Sequence, residues 1–486
     1  LSSSKVEAVE HSYENVKQSR NKKTIIGFVL AIGVFIGLYV GLPESFTTSP
    51  RLMIAIVSCA VVLWALEPIP IGLTSIIILT LMLVLDVVPT EIAYSGFSSP
   101  AVFLIIVGMM LARAVNETPL AKRITYLILT KWGGSEKGLL ASILMIPQLQ
   151  AFFIPAIAVR TSLLLPVALN VMDMIDDKKE SNFRKMIMLG VAFGGTISGT
   201  AVMTAAIGNI LTVELLNEFL GVNITYFEWF LYALPIWLLL IPILWLLLLK
   251  LFPVDIPKSS FQAVKKEMGE KVKDFGKMSG KELRCLFILL FTVGMWMSEP
   301  LHGLHPSITA LIGVALMTLP GIGCATWSNI VKINFDTVLM LGATLSVGYG
   351  LNHSGATELI GESLSTDWII SLMEKPIIAV IFILIITQIF HLAMSNVSTA
   401  VVALIPIYIG LSVQAGTDPI LIAFTATLAC VHGYILVVEA MPNVLVHSTG
   451  EIKQQSFLLP GLLMTGFMTL VTIIVALTWW QLLGFM

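Results

Sequence analysis

The sequence predicts an all-α, polytopic membrane protein: eleven transmembrane helices plus two re-entrant hairpins, arranged in two inverted repeats. Three observations carry that expectation. About 57% of the 486 residues are hydrophobic and only 12% are charged, roughly half the charged share of a soluble chain. Apolar stretches long enough to cross hydrocarbon recur along the whole length. The second half of the chain also repeats the motif order of the first.

A span needs roughly 20 mostly apolar residues to cross about 30 Å of hydrocarbon. Stretches at 24–41, 51–66, 70–88, 98–115, 227–251, 283–298, 306–323, 334–351 and 457–485 meet or approach that length. Two longer regions, 183–216 and 418–446, are apolar but interrupted by Gly, Ser, Thr, His and Pro, and each reads as one broken span. Regions 137–172 and 369–412 are each long enough for two half-helices around a polar or Pro-containing middle, and read as hairpins that enter and leave on one side.

Charge tests this count, because Lys and Arg gather in cytoplasmic loops. With Lys17, Arg20, Lys22 and Lys23 inside, the topology also places Arg113, Lys122, Arg123, Lys131, Lys137, Lys178, Lys179, Arg184 and Lys185 inside. The loop 252–282, with seven lysines from Lys258 to Lys281, falls on the same side. The outer loops keep almost nothing basic beyond Arg51 and Lys375. A full crossing by either hairpin would destroy the pattern. The reading is therefore a multi-pass protein of the inner (plasma) membrane with a cytoplasmic N-terminus. The polar segment before the first span is too long and too charged for a signal peptide.

The repeat is explicit. Trp64-Ala65-Leu66-Glu67-Pro68 matches Trp296-Met297-Ser298-Glu299-Pro300 at a shift of 232 (296 − 64), and Asn116–Ile124 lines up with Asn352–Ile360. Pro155 to Pro166 is spaced like Ser395 to Pro406, and Ala206–Asn209 corresponds to Ala440–Asn443 at a shift of 234 (443 − 209). Each copy holds three spans, a hairpin, a broken span and a last span. Five crossings separate the two starts, and five is odd, so the copies sit upside down relative to each other. Inverted repeats with discontinuous helices are the architecture of secondary transporters, with the site where the broken elements meet.

Those interruptions hold the candidate site. The first hairpin tip runs Pro155-Ala156-Ile157 to Arg160 and Thr161, and the second reads Ser395-Asn396-Val397-Ser398-Thr399. The breaks are Gly194–Thr200, with Ser198, Gly199 and Thr200, and His432-Gly433. Unwound backbone in a membrane needs protein, water or ligand as partner, and half-helix N-termini favour carboxylates. Arg160 is an intramembrane charge among apolar neighbours, and such charges are functional by default; a snorkelling or structurally paired Arg is the plainer alternative. His432 reads equally as a packed core histidine or as a second cation. Glu439 reads as a partner for a buried cation or as a coil-facing or water-facing acid, and His391 as a packing residue. Glu67 and Glu299, next to Pro at helix ends, read as turn residues. Segments 119–132 and 261–275 look amphipathic and interfacial.

These residues carry a resemblance over nearly the whole chain. The sequence resembles the divalent anion:sodium symporter family, especially its exchanger branch of 2-oxoglutarate/malate and citrate/succinate translocators. The resemblance implies a homodimer moving by an elevator mechanism, with Ser-Asn-Thr tips that grip substrate carboxylates and one sodium ion between each tip and its broken span. Here Val397 stands where the second Thr would be, and Pro155-Ala156-Ile157 replaces the first tip's pattern outright. That departure argues against sodium coordination and for Arg160 and His432 as tethered cations in its place. The expected substrate-binding set is Ser395, Asn396, Ser398, Thr399, Pro155, Ala156, Ser198, Gly199, Thr200 and Gly433. The expected partners are small dicarboxylate anions and the lipid bilayer.

The implied division is a tail at 1–23, scaffold parts at 24–135 and 283–366, a cytoplasmic linker at 252–282, and transport parts at 136–251 and 367–486. The expected activity is sodium-independent exchange of 2-oxoglutarate, malate, succinate or fumarate. A sodium-coupled symporter and a citrate/tartrate-type exchanger are the alternatives. An enzyme is not expected, since no His-Glu-x-x-His, Gly-x-Ser-x-Gly or P-loop pattern occurs. No basic, aromatic-interleaved strip points to nucleic acid. Four scattered cysteines show neither metal-ligand spacing nor a disulfide framework, and no cofactor or metal is expected.

Overall fold

The computed structural model describes residues 24–42, 47–176, 178–364, 366–392, 394 and 396–484. The tail at 1–23 and Ser395 of the second tip lie outside the described residues. Every regular element among the described residues is helical. Seven helices are long and apolar enough to cross a membrane, or eight if the bent pair Asp367–Met373 and Pro376–His391 counts as one span. Ile71–Val84, Pro306–Thr318 and Pro419–Val431 are apolar but shorter. The two broken regions fall outside that count because their breaks cut each into pieces of 16 residues or fewer.

The chain forms two compact units. The smaller comprises Leu1–Ser99 and Asn334–Ser363. Its centre is the packing of Phe335–His353 against Ile71–Val84 and Thr90–Ser98. Gly96 permits the close approach, since a Cβ there would fall 2.1 Å from the Gly342 carbonyl oxygen; its N–H donates to Ser346 Oγ at 3.2 Å.

The larger unit, Pro100–Ile333 with Leu364–Met486, contains every described element of the candidate site. Glu136–Gln150 and Ile157–Ile175 form a first helix pair around the tip, and Pro376–His391 and Val397–Ala415 a second. The second arms of both pairs are 19 residues long and stand at a constant shift of 240 (397 − 157). The broken spans show the same internal order. Asn182–Ile197, a 3-10 turn at Met203–Ala205 and Ile207–Leu220 are matched by Pro419–Val431, a turn at Val437–Glu439 and Met441–Ser448. Ser181 and Asp418 cap their first halves by accepting backbone N–H groups.

Three groups of contacts hold this unit together around the site. Trp229 lies 4.7 Å from Phe424 and Phe424 5.3 Å from Trp480, ring centre to ring centre. Trp229 Nε1 also donates to the Thr200 carbonyl at 3.2 Å, so helix Tyr226–Leu251 braces both breaks. Arg184, buried at the start of the first broken span, binds Glu451 at 2.5 Å and Asp173 at 2.6 Å, which ties one end of the first copy to the second. The amphipathic segments are the helices Leu120–Trp132 and Lys258–Asp274. The latter turns Phe261, Val264 and Met268 inward. Arg123 joins Glu282 at 2.7 Å and the Phe275 and Gly276 carbonyls, and this contact holds the Glu282 carboxyl below its ordinary range.

Candidate functional site

Arg160 is the organising residue of the first half-site. It sits in the first turn of Ile157–Ile175 with no solvent exposure. Its guanidinium donates from Nε to Ser198 Oγ (2.9 Å), from Nη1 to the Ile154 carbonyl (2.5 Å) and from Nη2 to the Ala205 carbonyl (3.0 Å). One side chain thus joins the tip, the break and the 3-10 turn after it. Among the described residues no Asp or Glu oxygen lies within 4.0 Å of any Arg160 nitrogen. The guanidinium is hydrogen-bonded to three protein acceptors and, among the described residues, has no adjacent carboxylate.

The tip itself is bent sharply. Ala156 has φ 75° and ψ 112°, a backbone conformation an L side chain adopts at a cost of about 1–3 kcal/mol. Ile157 Cδ1 would lie 2.6 Å from a Cβ on Gly199, so the tip rests directly on the break. A small cavity lined by Phe152, Phe153, Pro155, Thr204, Thr292 and Trp296 lies beside it.

The two breaks are built on one plan. Asn209 donates from Nδ2 to the Gly199 and Val202 carbonyls (2.8 and 3.3 Å). Asn443 donates to the Gly433 and Leu436 carbonyls (3.2 and 3.1 Å). All three positions correspond at the shift of 234 (433 − 199, 436 − 202, 443 − 209). Each Asn satisfies carbonyls that the interrupted helix leaves open. Neither asparagine was among the expected site residues, although the repeat alignment had already paired them.

His432 and Thr200 bring the halves into contact. His432 Nε2 lies 2.9 Å from Thr200 Oγ1, and Nδ1 lies 2.8 Å from the Leu428 carbonyl. Both residues are buried. Of the expected set, Arg160 and Ser198, Gly199 and Ile157 beside Ala156, and Thr200 and His432 beside Gly433 meet through direct contacts. In the second tip, Asn396 accepts from Ser398 N at 3.0 Å and caps Val397–Ala415. Thr399 is buried, and its Oγ1 has no hydrogen-bond partner.

His391 is packed in the interior, as expected. It is 1% exposed, yet neither ring nitrogen has a partner, and its Cε1 would lie 2.9 Å from a Cβ on Gly433. Its ring lies against the second break, where the described residues offer neither nitrogen a partner. Asn443 Oδ1 and Tyr434 Oη are likewise buried and unpartnered. Glu439 faces the coil, one of its expected alternatives: its carboxylate accepts Ile435 N and Leu436 N at 2.9 and 3.0 Å. Glu299 does more than shape a turn, because it accepts Tyr226 N at 2.6 Å. All four cysteines are buried free thiols.

Comparison with known proteins agrees with this architecture. The family described as "Sodium:sulfate symporter transmembrane region" matches residues 20–486. The chain belongs to the divalent anion:sodium symporter family. It is a membrane transporter and not an enzyme. Over 91% of its length it is 23% identical to the sodium-dependent dicarboxylate transporter SdcS of Staphylococcus saprophyticus, covering 89% of that protein. It is also 23% identical to the putative malate transporter YflS of Bacillus subtilis, over 96% of this chain and 98% of the relative. The crystal structure of the Alcanivorax borkumensis YdaH transporter matches with a TM-score of 0.52 at 12% identity, covering 80% of this chain and 87% of that one. That likeness concerns the fold alone.

Proposed function

We propose that this chain exchanges dicarboxylates such as 2-oxoglutarate, malate, succinate and fumarate across the inner membrane without sodium. The names of its relatives, a sodium-dependent dicarboxylate transporter and a putative malate transporter, supply the substrate class. The observation that carries the exchange mode is Arg160: a guanidinium with no exposure and no carboxylate beside it. An unpaired buried charge costs several kcal/mol. A bound carboxylate removes that cost, so the loaded carrier crosses and the empty one is held back. Arg160 cannot leave as a sodium ion can.

In this reading Pro155, Ala156, Ser198, Gly199 and Thr200 frame one carboxylate, and Asn396, Ser398, Thr399 and Gly433 frame the other, together with Ser395. His432 and the free nitrogens of His391 supply the second positive pole. The scaffold and transport division, the eleven crossings, the two re-entrant hairpins, the homodimer and the elevator movement belong to the same proposal, and the cytoplasmic N-terminus rests on the positive-inside pattern.

The test is uptake of labelled succinate into proteoliposomes, crossing internal dicarboxylate present or absent with sodium present or absent. Uptake that requires internal dicarboxylate and ignores sodium is expected. Sodium-driven uptake into empty vesicles would establish the symport named for several relatives and remove the tethered-cation reading.

A further inference from the structure

We infer that His432 is a substrate-linked proton site: it takes up one proton when the dianion binds and releases it when the dianion leaves. This rests on the dicarboxylate reading above and adds a co-ligand to it. The argument comes from the hydrogen-bond chain across the two breaks. The Leu428 carbonyl, 2.8 Å from Nδ1, can only accept, so Nδ1 carries a proton. Thr200 Oγ1 lies 2.9 Å from Nε2 and 2.7 Å from the Ile197 carbonyl. A neutral imidazole and one hydroxyl have two protons for these three contacts. If Thr200 donates to Ile197, Nε2 must be protonated as well, and the ring is a cation. If Thr200 donates to Nε2, its contact with the Ile197 carbonyl is lost. The geometry therefore accommodates both states, and the Thr200 hydroxyl rotates between them.

The surroundings make the choice depend on substrate. The ionisable groups around the ring are His391 on the second pair's first arm, Glu439 on the following turn and Tyr434 within the break. Cys430 lies on its own helix, Tyr408 on the second pair's second arm, and Arg160 across the first break. Glu439 is committed to two backbone N–H groups, and Arg160 to three acceptors. Neither supplies a carboxylate in contact with His432. With the site empty, a second buried cation, against Thr200 two residues from the Ser198 that Arg160 holds, is unfavourable. A dianion placed between the tips reverses that, because an opposite charge within about 4–6 Å favours the protonated ring. The proton comes from solvent on loading and returns to it on release. In one-for-one exchange each direction carries the same proton, so affinity depends on pH while a proton gradient does no net work.

Calorimetric titration of the purified protein with succinate, in two buffers of different ionisation heat, reads the proton directly. Between about pH 7 and about pH 9, where succinate is a dianion and a free imidazole is largely neutral, uptake approaching one proton per succinate is expected. The apparent Kd should rise by up to about tenfold per pH unit. In His432→Gln the affinity should be weaker, with both the buffer dependence and the pH slope lost. Thr200→Val, which keeps the ring and removes the rotating hydroxyl, should flatten the slope and serves if His432→Gln does not fold. Succinate binding without proton uptake in the unaltered protein, or undiminished uptake in a folded His432→Gln, overturns the inference and leaves the dicarboxylate reading standing. No binding of any dicarboxylate overturns both.

Discussion

The two broken spans share a backbone plan and differ in how they handle charge. Each closes its break with one asparagine that reaches back ten and seven residues to two carbonyls. The first half then fixes a guanidinium over its break, with each of three donor nitrogens on a protein acceptor. The second half instead leaves buried groups unpartnered: both nitrogens of His391, Thr399 Oγ1, Asn443 Oδ1 and Tyr434 Oη. A buried polar group without a partner costs about 1–3 kcal/mol. In the proposed reading, substrate or water completes these groups around the second break. The frame is what duplication preserved, and the charge is where the copies diverged. In the proposed reading, one half carries the permanent cation and the substrate completes the other.

The comparison breaks most easily at Arg160. Arg160→Met removes the charge with a side chain of similar length, and a buried charge replaced by a packed apolar group is often neutral or stabilising. Exchange should fall at least about 100-fold, equivalent to losing about 2.7 kcal/mol or more, while thermal unfolding stays level or rises. Arg160→Lys should fail nearly as badly, because an ammonium cannot reproduce the planar fork that spans Ser198, Ile154 and Ala205. Proteoliposome exchange together with an unfolding curve checks both. A well-folded Arg160→Met that exchanges within a few-fold of the unaltered protein would show the guanidinium to be structural.

Asn209→Ala and Asn443→Ala test the shared frame. Each deletes two hydrogen bonds to buried carbonyls, worth about 1 kcal/mol apiece with a further penalty for the exposed acceptors. Destabilisation of about 2–4 kcal/mol is expected in each case. Equal losses would sharpen the view that the breaks are equivalent scaffolds. A large loss at Asn209 with none at Asn443 would mean that the second break is held by other contacts, and that Asn443 Oδ1 is free to serve a ligand.

Much of this was legible in the sequence, and the reasons are physical. Hydrophobic runs and the 232–234 shift depend on one-dimensional order, so they located the breaks, the helix pairs and the two copies. Arg160 was visible because a charge in an apolar stretch is conspicuous. His391 was not. Its significance lies in two unpartnered nitrogens and in its approach to Gly433, forty-two positions away (433 − 391), which no local pattern reports. The Glu439 carboxylate could not be assigned for the same reason: whether an acid caps a turn or meets a cation depends on which backbone N–H groups the break leaves open. The asparagines were present in the repeat alignment but lay outside the polar tips, where the expected chemistry was concentrated.

The smallest expected effect separates the tips themselves. Ala156 holds φ at 75°, whereas Asn396, which caps the corresponding helix, sits at −115°. Glycine adopts the first conformation freely, so Ala156→Gly should relieve strain there, and the entropy glycine loses on folding offsets about 0.5–1 kcal/mol of the gain. A net stabilisation of up to about 1–2 kcal/mol is expected. Asn396→Gly has no strain to relieve and also removes the cap on Ser398 N, so it should destabilise by a few tenths of a kcal/mol to about 1 kcal/mol. Opposite signs in paired unfolding measurements would mean that the first tip is forced into its bend by what lies over it: Arg160 pulling the Ile154 carbonyl from one side and Ile157 pressed against Gly199 on the other. If Ala156→Gly gains stability but slows exchange, the strained tip is part of how the first half keeps its guanidinium aimed at the break. If exchange is unchanged, the three hydrogen bonds of Arg160 suffice to aim it.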